Sequence, residues 1–540
     1  MKRGATYRSA GTPWLSWRGP VVACALILGF TFLQIERGTG NRTLVLLFTL
    51  FDMLLVAAFA TAFLSLTRRW RVSLLTGAAL VLLIYFASWL KMQYTAMAAQ
   101  AGDLMTLYTA WELVWPFAWR AMAVVAALTV LIVIVFAIEK PLYRGNRTRG
   151  MLGLVATLLF AVCAVIDDQL PRNDAALIAA GPGAKIALFY RSVYQRSALL
   201  PASFPAMGKY CCMVAAGPPS ATFNGDLKPN LVVVLQESTF PRSNLRGYEP
   251  ARNFLFDGAA PLKVHVRGSG TWVEEFAVLH GVPPTVYGDQ FIQINSLGPA
   301  LRLPGRLAPL LAEQGYDTTT VYPTAGQMLA AESMHRSLGM QRFVSCEEID
   351  PCHAAADWNK TADSVFFDKV LETLRGQDKP QFIFTATMRQ HSPHFERFPL
   401  KHYKKEVMLE YDRRLALSST DAEAFISALR QLPRPTLVLM FGDHIPSDVV
   451  AAFDERDFAA DPFQTFFNIY DSTGKPRAAE LMARYSDVPA VDSAFLDVLL
   501  LDYAGFGGNY ISTKLRFMQA CGGRYCGQSA PDEKVALSKR

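Results

Sequence analysis

Histidine is absent from the first 264 residues of this 540-residue chain and again after His444, so chemistry that needs an imidazole is confined to residues 265–444. No CxxC pair is present among the eight cysteines, which argues against a structural zinc cluster. No basic run is interleaved with aromatics, so the formal charge of +7 does not point to nucleic acid, and no nucleic-acid partner is expected. Internal repeats and low-complexity tracts are also missing, which excludes a solenoid or a linker-like protein.

What the first 166 residues hold instead is apolar sequence. Runs at Gly19–Ile35, Thr43–Leu66, Val72–Leu90, Ala121–Ile138 and Met151–Ile166 each approach the roughly 20 residues needed to cross a bilayer. The last is the shortest. The first lacks a small-residue cleavage site and is read as a retained span, not a signal peptide. Basic residues resist translocation, and eleven of them (Lys2, Arg3, Arg8, Arg18, Arg68, Arg69, Arg71, Lys140, Arg144, Arg147, Arg149) sit in alternate loops against four (Arg37, Arg42, Lys91, Arg120) in the others. Residues 1–166 are therefore expected to form a five-helix transmembrane domain of a bacterial cytoplasmic (inner) membrane. The N-terminus is placed in the cytoplasm and everything after residue 166 in the periplasm or outside the cell. Cys211, Cys212, Cys346, Cys352, Cys521 and Cys526 all fall on that external side, where disulfides persist; Cys346 with Cys352 and Cys521 with Cys526 have the spacing of local pairs. Residues 167–224 read as a linker in which 184–200 has the mixed apolar, aromatic and basic pattern of an interfacial helix. Residues 528–540 read as a disordered tail.

Between residues 225 and 527, β-branched runs alternate with amphipathic stretches. Leu231–Leu235, Thr318–Tyr322, Gln381–Thr387 and Thr436–Phe441 read as buried strands; Leu303–Gln314, Ser364–Leu374 and Asp421–Leu432 read as helices. The fold class expected is thus a multi-pass membrane α-helical domain followed by an external, doubly wound α/β domain. In such sheets functional groups collect just past the strand ends. The first of these strands is followed by Gln236-Glu237-Ser238-Thr239, the third by Met388 to His394, and the last by Gly442-Asp443-His444. His335, His353 and His402 lie in polar contexts and read as surface residues, and His280 reads as structural.

Glu237, Asp443 and His444 are the residue types that hold a divalent ion beside an oxygen nucleophile. Taken together, Leu-Gln-Glu-Ser at 235–238, Gly-Ser-Gly-Thr-Trp-Val-Glu-Glu-Phe at 268–276, Gln-His-Ser-Pro-His-Phe at 390–395 and Phe-Gly-Asp-His-Ile-Pro-Ser at 441–447 resemble the lipoteichoic acid synthase group of the alkaline phosphatase and sulfatase superfamily. The resemblance implies one divalent ion, Mn or Zn, with Glu237, Thr271, Asp443 and His444 as ligands. Thr271 would also be the nucleophile, and His391 would face the substrate phosphate; His394 is a second substrate-binding candidate whose alternative reading is a structural residue, since the intervening Pro393 lets the two rings diverge. It further implies transfer of a phospholipid headgroup, phosphoglycerol or phosphoethanolamine, through a phospho-threonine to an envelope glycan or lipid. Thr239, two residues after Glu237, is the competing nucleophile. The group's Trp-Asn-Arg segment is not recognisable near Leu329–Arg336, which leaves headgroup and acceptor open. No histidine follows the Asp-His pair as in lipid A phosphoethanolamine transferases, which speaks against a second metal. No CxPxR sequence of arylsulfatases occurs. Two other readings stay open: a hydrolase of the same chemistry, and a non-catalytic envelope sensor.

Overall fold

The computed structural model describes residues 42–95, 99, 111–143, 145–169, 186, 189–190, 220–250, 252–284, 294–295, 307–349, 352–353, 355–395, 400–473, 477–485 and 487–525. The chain divides into two compact units. One comprises Met1–Met92, Met97–Ala101 and Trp115–Tyr194; the other comprises Gln93–Ala96, Gly102–Val114 and Gln195–Arg540.

In the first unit the apolar runs form helices α1 (Arg42–Thr67), α2 (Trp70–Thr95), α3 (Trp111–Ile138) and α4 (Asn146–Gln169). Among the described residues three stretches are long and apolar enough to cross a membrane: Leu50–Thr67, Trp70–Ser88 and Asn146–Ile166. In α3 the described apolar stretch is Val125–Ile138, and the apolar run of the sequence begins earlier, at Ala121. The short fifth run gains length because its helix starts at Asn146, before the apolar segment. The expected first span, Gly19–Ile35, and most of the expected interfacial helix lie outside the described residues.

Gly77 of α2 packs so closely on α1 that a Cβ there would stand 2.8 Å from the backbone nitrogen of Ala60, the small-residue contact expected where helices meet without a hydrophobic drive. Glu139, just past α3, accepts hydrogen bonds from the amides of Arg71 and Val72 at the start of α2, at 2.9 and 3.0 Å. Tyr143 donates to the carbonyl of Leu64. The basic loops containing Arg68, Arg69 and Arg71 and containing Lys140, Arg147 and Arg149 therefore share one end of this unit, as the alternation of charge requires.

The second unit is built on a sheet. Its strands are β1 (Asn230–Gln236), β2 (Ala260–Lys263), β3 (Asp317–Val321), β4 (Arg342–Val344), β5 (Gln381–Ala386), β6 (Thr436–Gly442), β7 (Gln464–Asp471) and β8 (Val491–Asp492). Among the described residues they form one eight-stranded sheet in the order β4-β3-β5-β1-β6-β7-β2-β8. The run from β4 to β6 is parallel, and β7 is antiparallel to both β6 and β2. This is the α/β architecture expected, with a mixed sheet in place of an all-parallel one.

Successive side chains in a strand point to opposite faces. Leu231, Val233 and Leu235 of β1 accordingly join a core with helices α5 (Thr271–His280), α6 (Leu307–Glu313), α12 (Leu496–Tyr503) and α13 (Asn509–Ala520). Val232 and Val234 join the opposite core with α8 (Asp363–Leu374), α9 (Lys404–Leu429) and α10 (Ser447–Ala452). A strand covered on both faces has no polar side, which is why LVVVL shows no alternation. Further helices among the described residues are α7 (Ala331–Ser337) and α11 (Ala478–Met482). The helix expected over 421–432 is the second half of the longer α9.

His335, expected at the surface, is fully buried. It sits between Thr320, 3.1 Å from Nδ1, and Glu275, 3.1 Å from Nε2, a polar environment supplied by residues distant in sequence. His280 is buried with its ring 4.5 Å from Phe276. Cys346 and Cys352 form a disulfide, and Cys521 is disulfide-bonded. Cys526 lies outside the described residues.

Candidate active site

The parallel register of β1 with β5 and β6 pairs Leu235 with Ala386 and Gln236 with Gly442. The three strands therefore end at one edge and deliver their following residues there together. Glu237 leaves β1 directly into Ser238, whose φ of 51° is left-handed, a conformation costing a non-glycine residue about 1 kcal/mol. The turn is held by two bonds: the Ser238 amide donates to Asp443 Oδ1 at 2.7 Å, and its hydroxyl donates to Glu237 Oε1 at 2.7 Å. Across from it, a Cβ on Gly442 would stand 1.9 Å from the Thr239 carbonyl oxygen. Only glycine lets the β1 and β6 ends approach this closely.

Thr271 is the first residue of α5, after Gly268 and Gly270, both in the left-handed region (φ of 78° and 102°). The Gly268 amide donates to the Ile445 carbonyl at 2.8 Å, tying this turn to the segment after His444. The Thr271 hydroxyl donates to Glu237 Oε2 at 2.8 Å and lies 3.4 Å from His444 Nε2. His444 Nε2 is in turn 3.3 Å from Asp443 Oδ2 and 3.8 Å from Glu237 Oε1. The Thr239 hydroxyl, by contrast, is fully buried and donates to the carbonyl of Glu237, away from the carboxylate. Of the two candidate threonines, Thr271 is the one that meets the acid and imidazole groups.

Glu237, Asp443 and His444 are all buried, and one ligand atom from each lies within 4.8 Å of the others. Burial opposes the charge on Glu237, but His444, His391 and the Ser238 and Thr271 hydroxyls hold its carboxyl below the usual range. Burial and the neighbouring Glu237 push Asp443 well above it. Asp443 Oδ1 accepts from the Ser238 and His444 amides, while the buried Oδ2 has no hydrogen-bond partner. Two carboxylates facing one imidazole, with one buried oxygen left over, form a donor set that fits a divalent cation.

His391 is half-buried on the loop after β5. Its Nδ1 lies 2.7 Å from the Ser392 carbonyl, and its ring meets the edge of Trp358 at 5.2 Å. It is near enough to Glu237 and His444 to contribute to the shifts of both. Both ring nitrogens of His394 are occupied: Nδ1 is 3.1 Å from each Asp448 oxygen, and Nε2 is 3.0 Å from Gln390 Oε1. Ser392 also donates to Asp448, and Arg414 donates to the carbonyls of His391 and Pro393. Asp448, Arg414 and Trp358 escaped the sequence reading, which includes Ser238 only as part of a motif. Asp448 carried one available signal, its place in the first turn of a helix that follows the Asp-His pair. Trp358 is brought in from a distant short helix with no such cue.

Residues 229–466 match the family model described as Sulfatase. A Haemophilus influenzae protein named only as uncharacterized is 24% identical over 324 residues, covering 55% of this chain and 56% of that one. The chain thus spans about half the length of the curated relative it matches. Among solved structures, the chain is similar to the Streptococcus pyogenes phosphoglycerol transferase GacH in complex with sn-glycerol-1-phosphate, with 15% identity, a TM-score of 0.46, and coverage of 63% of this chain and 90% of that one. It is also similar to the Neisseria meningitidis lipooligosaccharide phosphoethanolamine transferase EptA (13% identity, TM-score 0.46, 87% and 96%). A third likeness is to the Listeria monocytogenes lipoteichoic acid synthase LtaP (16%, 0.36, 48% and 70%).

Proposed function

We propose that this chain, whose residues 229–466 match the Sulfatase family, is a membrane-anchored, metal-dependent transferase that moves a phospholipid headgroup onto an envelope glycan or lipid. One observation carries the reading. A threonine hydroxyl at a helix N-terminus meets two buried carboxylates and an imidazole at the ends of parallel strands.

Glu237, Asp443 and His444 would hold one divalent ion, Mn or Zn, with Thr271 completing the set. The chemistry such an ion supplies is Lewis acidity toward an attacking hydroxyl and the phosphoryl oxygens. The chain's own groups do the rest. Glu237 Oε2 accepts the Thr271 proton and orients the oxygen for attack. Thr271 Oγ1 bonds to phosphorus as the bond to the diacylglycerol oxygen breaks, and the departing oxygen takes up a proton. The acceptor hydroxyl then attacks the same phosphorus and gives its proton to Glu237, from which Thr271 is reprotonated as it leaves. Amides at the start of α5 face the phosphoryl group, where the positive end of the helix favours an anion. His391, with Nδ1 turned to the Ser392 carbonyl, presents Nε2 to the phosphate. His394 anchors the loop through Asp448, not the substrate.

The reading places the chain in the inner membrane with the second unit on its outer side. Incubating purified protein with labelled phosphatidylglycerol or phosphatidylethanolamine, with and without acceptor lipid or glycan, tests the transfer. Headgroup appearing on the acceptor is the expected result. Release to water alone, unchanged by any acceptor, would assign a hydrolase. Absence of both turnover and bound metal would assign a sensor.

A further inference from the structure

Outside the acidic centre, the described residues hold a second buried cluster of ionisable groups, and it lies just upstream of Thr271. His265 opens the turn that leads from β2 to α5, and its side chain is only 3% exposed. One carboxylate, Glu274 on the first turns of α5, takes both the His265 amide at 2.5 Å and His265 Nδ1 at 3.1 Å. On the other side of the ring, Nε2 is 3.2 Å from Asp492 Oδ2. Ser493 donates to Glu274 at 2.5 Å, and the other Asp492 oxygen accepts the Ala494 amide at 3.0 Å. Because the two acids take opposite nitrogens of one ring, the group has the geometry of a bridge and not of an ion site.

We infer that His265, bridged between Glu274 and Asp492, is a positioning residue that sets the Gly268–Thr271 turn so that the Thr271 hydroxyl stays on Glu237. The inference rests on Thr271 being the nucleophile. Its physical basis is closure. The Glu274 carboxylate joins the start of the turn to the helix that follows it, and the span so closed contains Gly268, Gly270 and Thr271. Two left-handed glycines leave that span with more backbone freedom than any other residues would, and within it the Gly268 amide is held by the Ile445 carbonyl. Asp492, at the start of a short 3₁₀ helix, ties the closed turn to the edge strand β8. Burial works against a charged ring, but Asp492 and Glu274 outweigh it and push His265 up to about 10.

The test uses the full-length protein in detergent. In His265→Gln, amide hydrogen exchange across peptides covering residues 266–273 should rise roughly tenfold, while β1 and β6 stay protected. The turnover number on labelled phospholipid vesicles should fall roughly 10- to 100-fold, as small misplacements of a reacting atom do. KM for the vesicles and bound metal should stay within about twofold. Glu274→Gln keeps one acceptor for the His265 amide and should shift the same readouts less, so it serves if His265→Gln does not fold. Unchanged exchange across residues 266–273 would overturn the bridge, and so would raised exchange with an unchanged turnover number. A loss of metal or a rise in KM that parallels the loss of turnover would make the role generally structural. Failure of the nucleophile assignment reads out separately, as an active Thr271→Ala protein with the exchange pattern of His265→Gln intact.

Discussion

At the residue scale, the site depends on which hydroxyl has its proton aimed at a carboxylate. Thr271 donates to Glu237 Oε2, whereas Thr239 is spent on a backbone carbonyl. Thr271→Ala is expected to lower headgroup release by roughly 10³-fold or more and to abolish the covalent adduct, while Thr239→Ala keeps substantial activity. Peptide mass spectrometry of the trapped adduct decides, and a phosphodiester on Thr239 would overturn the assignment. The unpartnered Asp443 Oδ2 carries a second expectation. Asp443→Asn should bind less than half an equivalent of metal, and chelation of the wild-type protein should abolish turnover until Mn or Zn is restored. Elemental analysis beside the activity assay measures both, and a metal-free, fully active protein would contradict the ligand set.

At the scale of elements, the strand ends and their loops are held by contacts that a single atom would disturb. The Cβ of Gly442→Ala would overlap the Thr239 carbonyl, so β1 and β6 would have to separate. A destabilisation of about 1–3 kcal/mol is expected, read as a lower thermal midpoint together with weaker metal binding. An alanine variant with wild-type stability would show that the strand ends relax freely. The loop after β5 depends on Asp448. Burial would raise its carboxyl, but His394, through its charge and its hydrogen bonds, and the Ser392 hydroxyl hold it down to about 2. A depressed carboxyl stabilises the folded state above its unfolded pKa of about 4, by about 2 kcal/mol, and the contribution disappears as pH falls toward 2. The gap in thermal midpoint between wild type and Asp448→Asn should therefore be constant above pH about 5 and shrink below about 4. A gap that widened with acid would reverse the sign of the argument.

At the scale of the whole molecule, an apolar helical unit and a disulfide-bearing α/β unit lie in one chain. Arg68, Arg69 and Arg71 share an end of the helical unit with Lys140, Arg147 and Arg149. Basic clusters on one side are what the positive-inside bias produces. A reporter that is active only in an oxidising compartment, fused after Arg540, is expected to be active, and a cytoplasm-only reporter at the same place to be silent. The opposite pattern would invert the proposed topology. The Cys346–Cys352 bridge closes a short loop, for which chain entropy allows about 2 kcal/mol. Its loss in Cys346→Ser should lower the thermal midpoint under oxidising conditions and leave it unchanged under reduction.

By itself the sequence determined the features that repeat along the chain or lie next to each other in it. Long apolar runs identify helices α1 to α4, although α4 gains its full length only from residues before its run. Short, mainly apolar runs with no polar/apolar alternation identify β1, β5 and β6, because a strand covered on both faces has no polar side. The residues after those strands supply the acids and the imidazole, since a parallel sheet delivers its strand ends to one edge. Long-range placement was decided only by the tertiary structure. Glu237 and Ser238 identify the end of β1, but nothing local says that Thr271 closes on that end, or that Thr239 turns away. His335 and His265 look alike as isolated histidines in sequence. One becomes a fully buried partner of Glu275 and the other a bridge behind Thr271, because Glu275 reaches His335, and Asp492 reaches His265, from elements far along the chain. For His394 the sequence left a substrate role and a structural role open, and the partners Asp448 and Gln390 on both its nitrogens appear only in the fold. Periodicity and turn chemistry are local and survive in one dimension, whereas a side chain's partner depends on which strands and helices come together, and that exists only once the chain has folded.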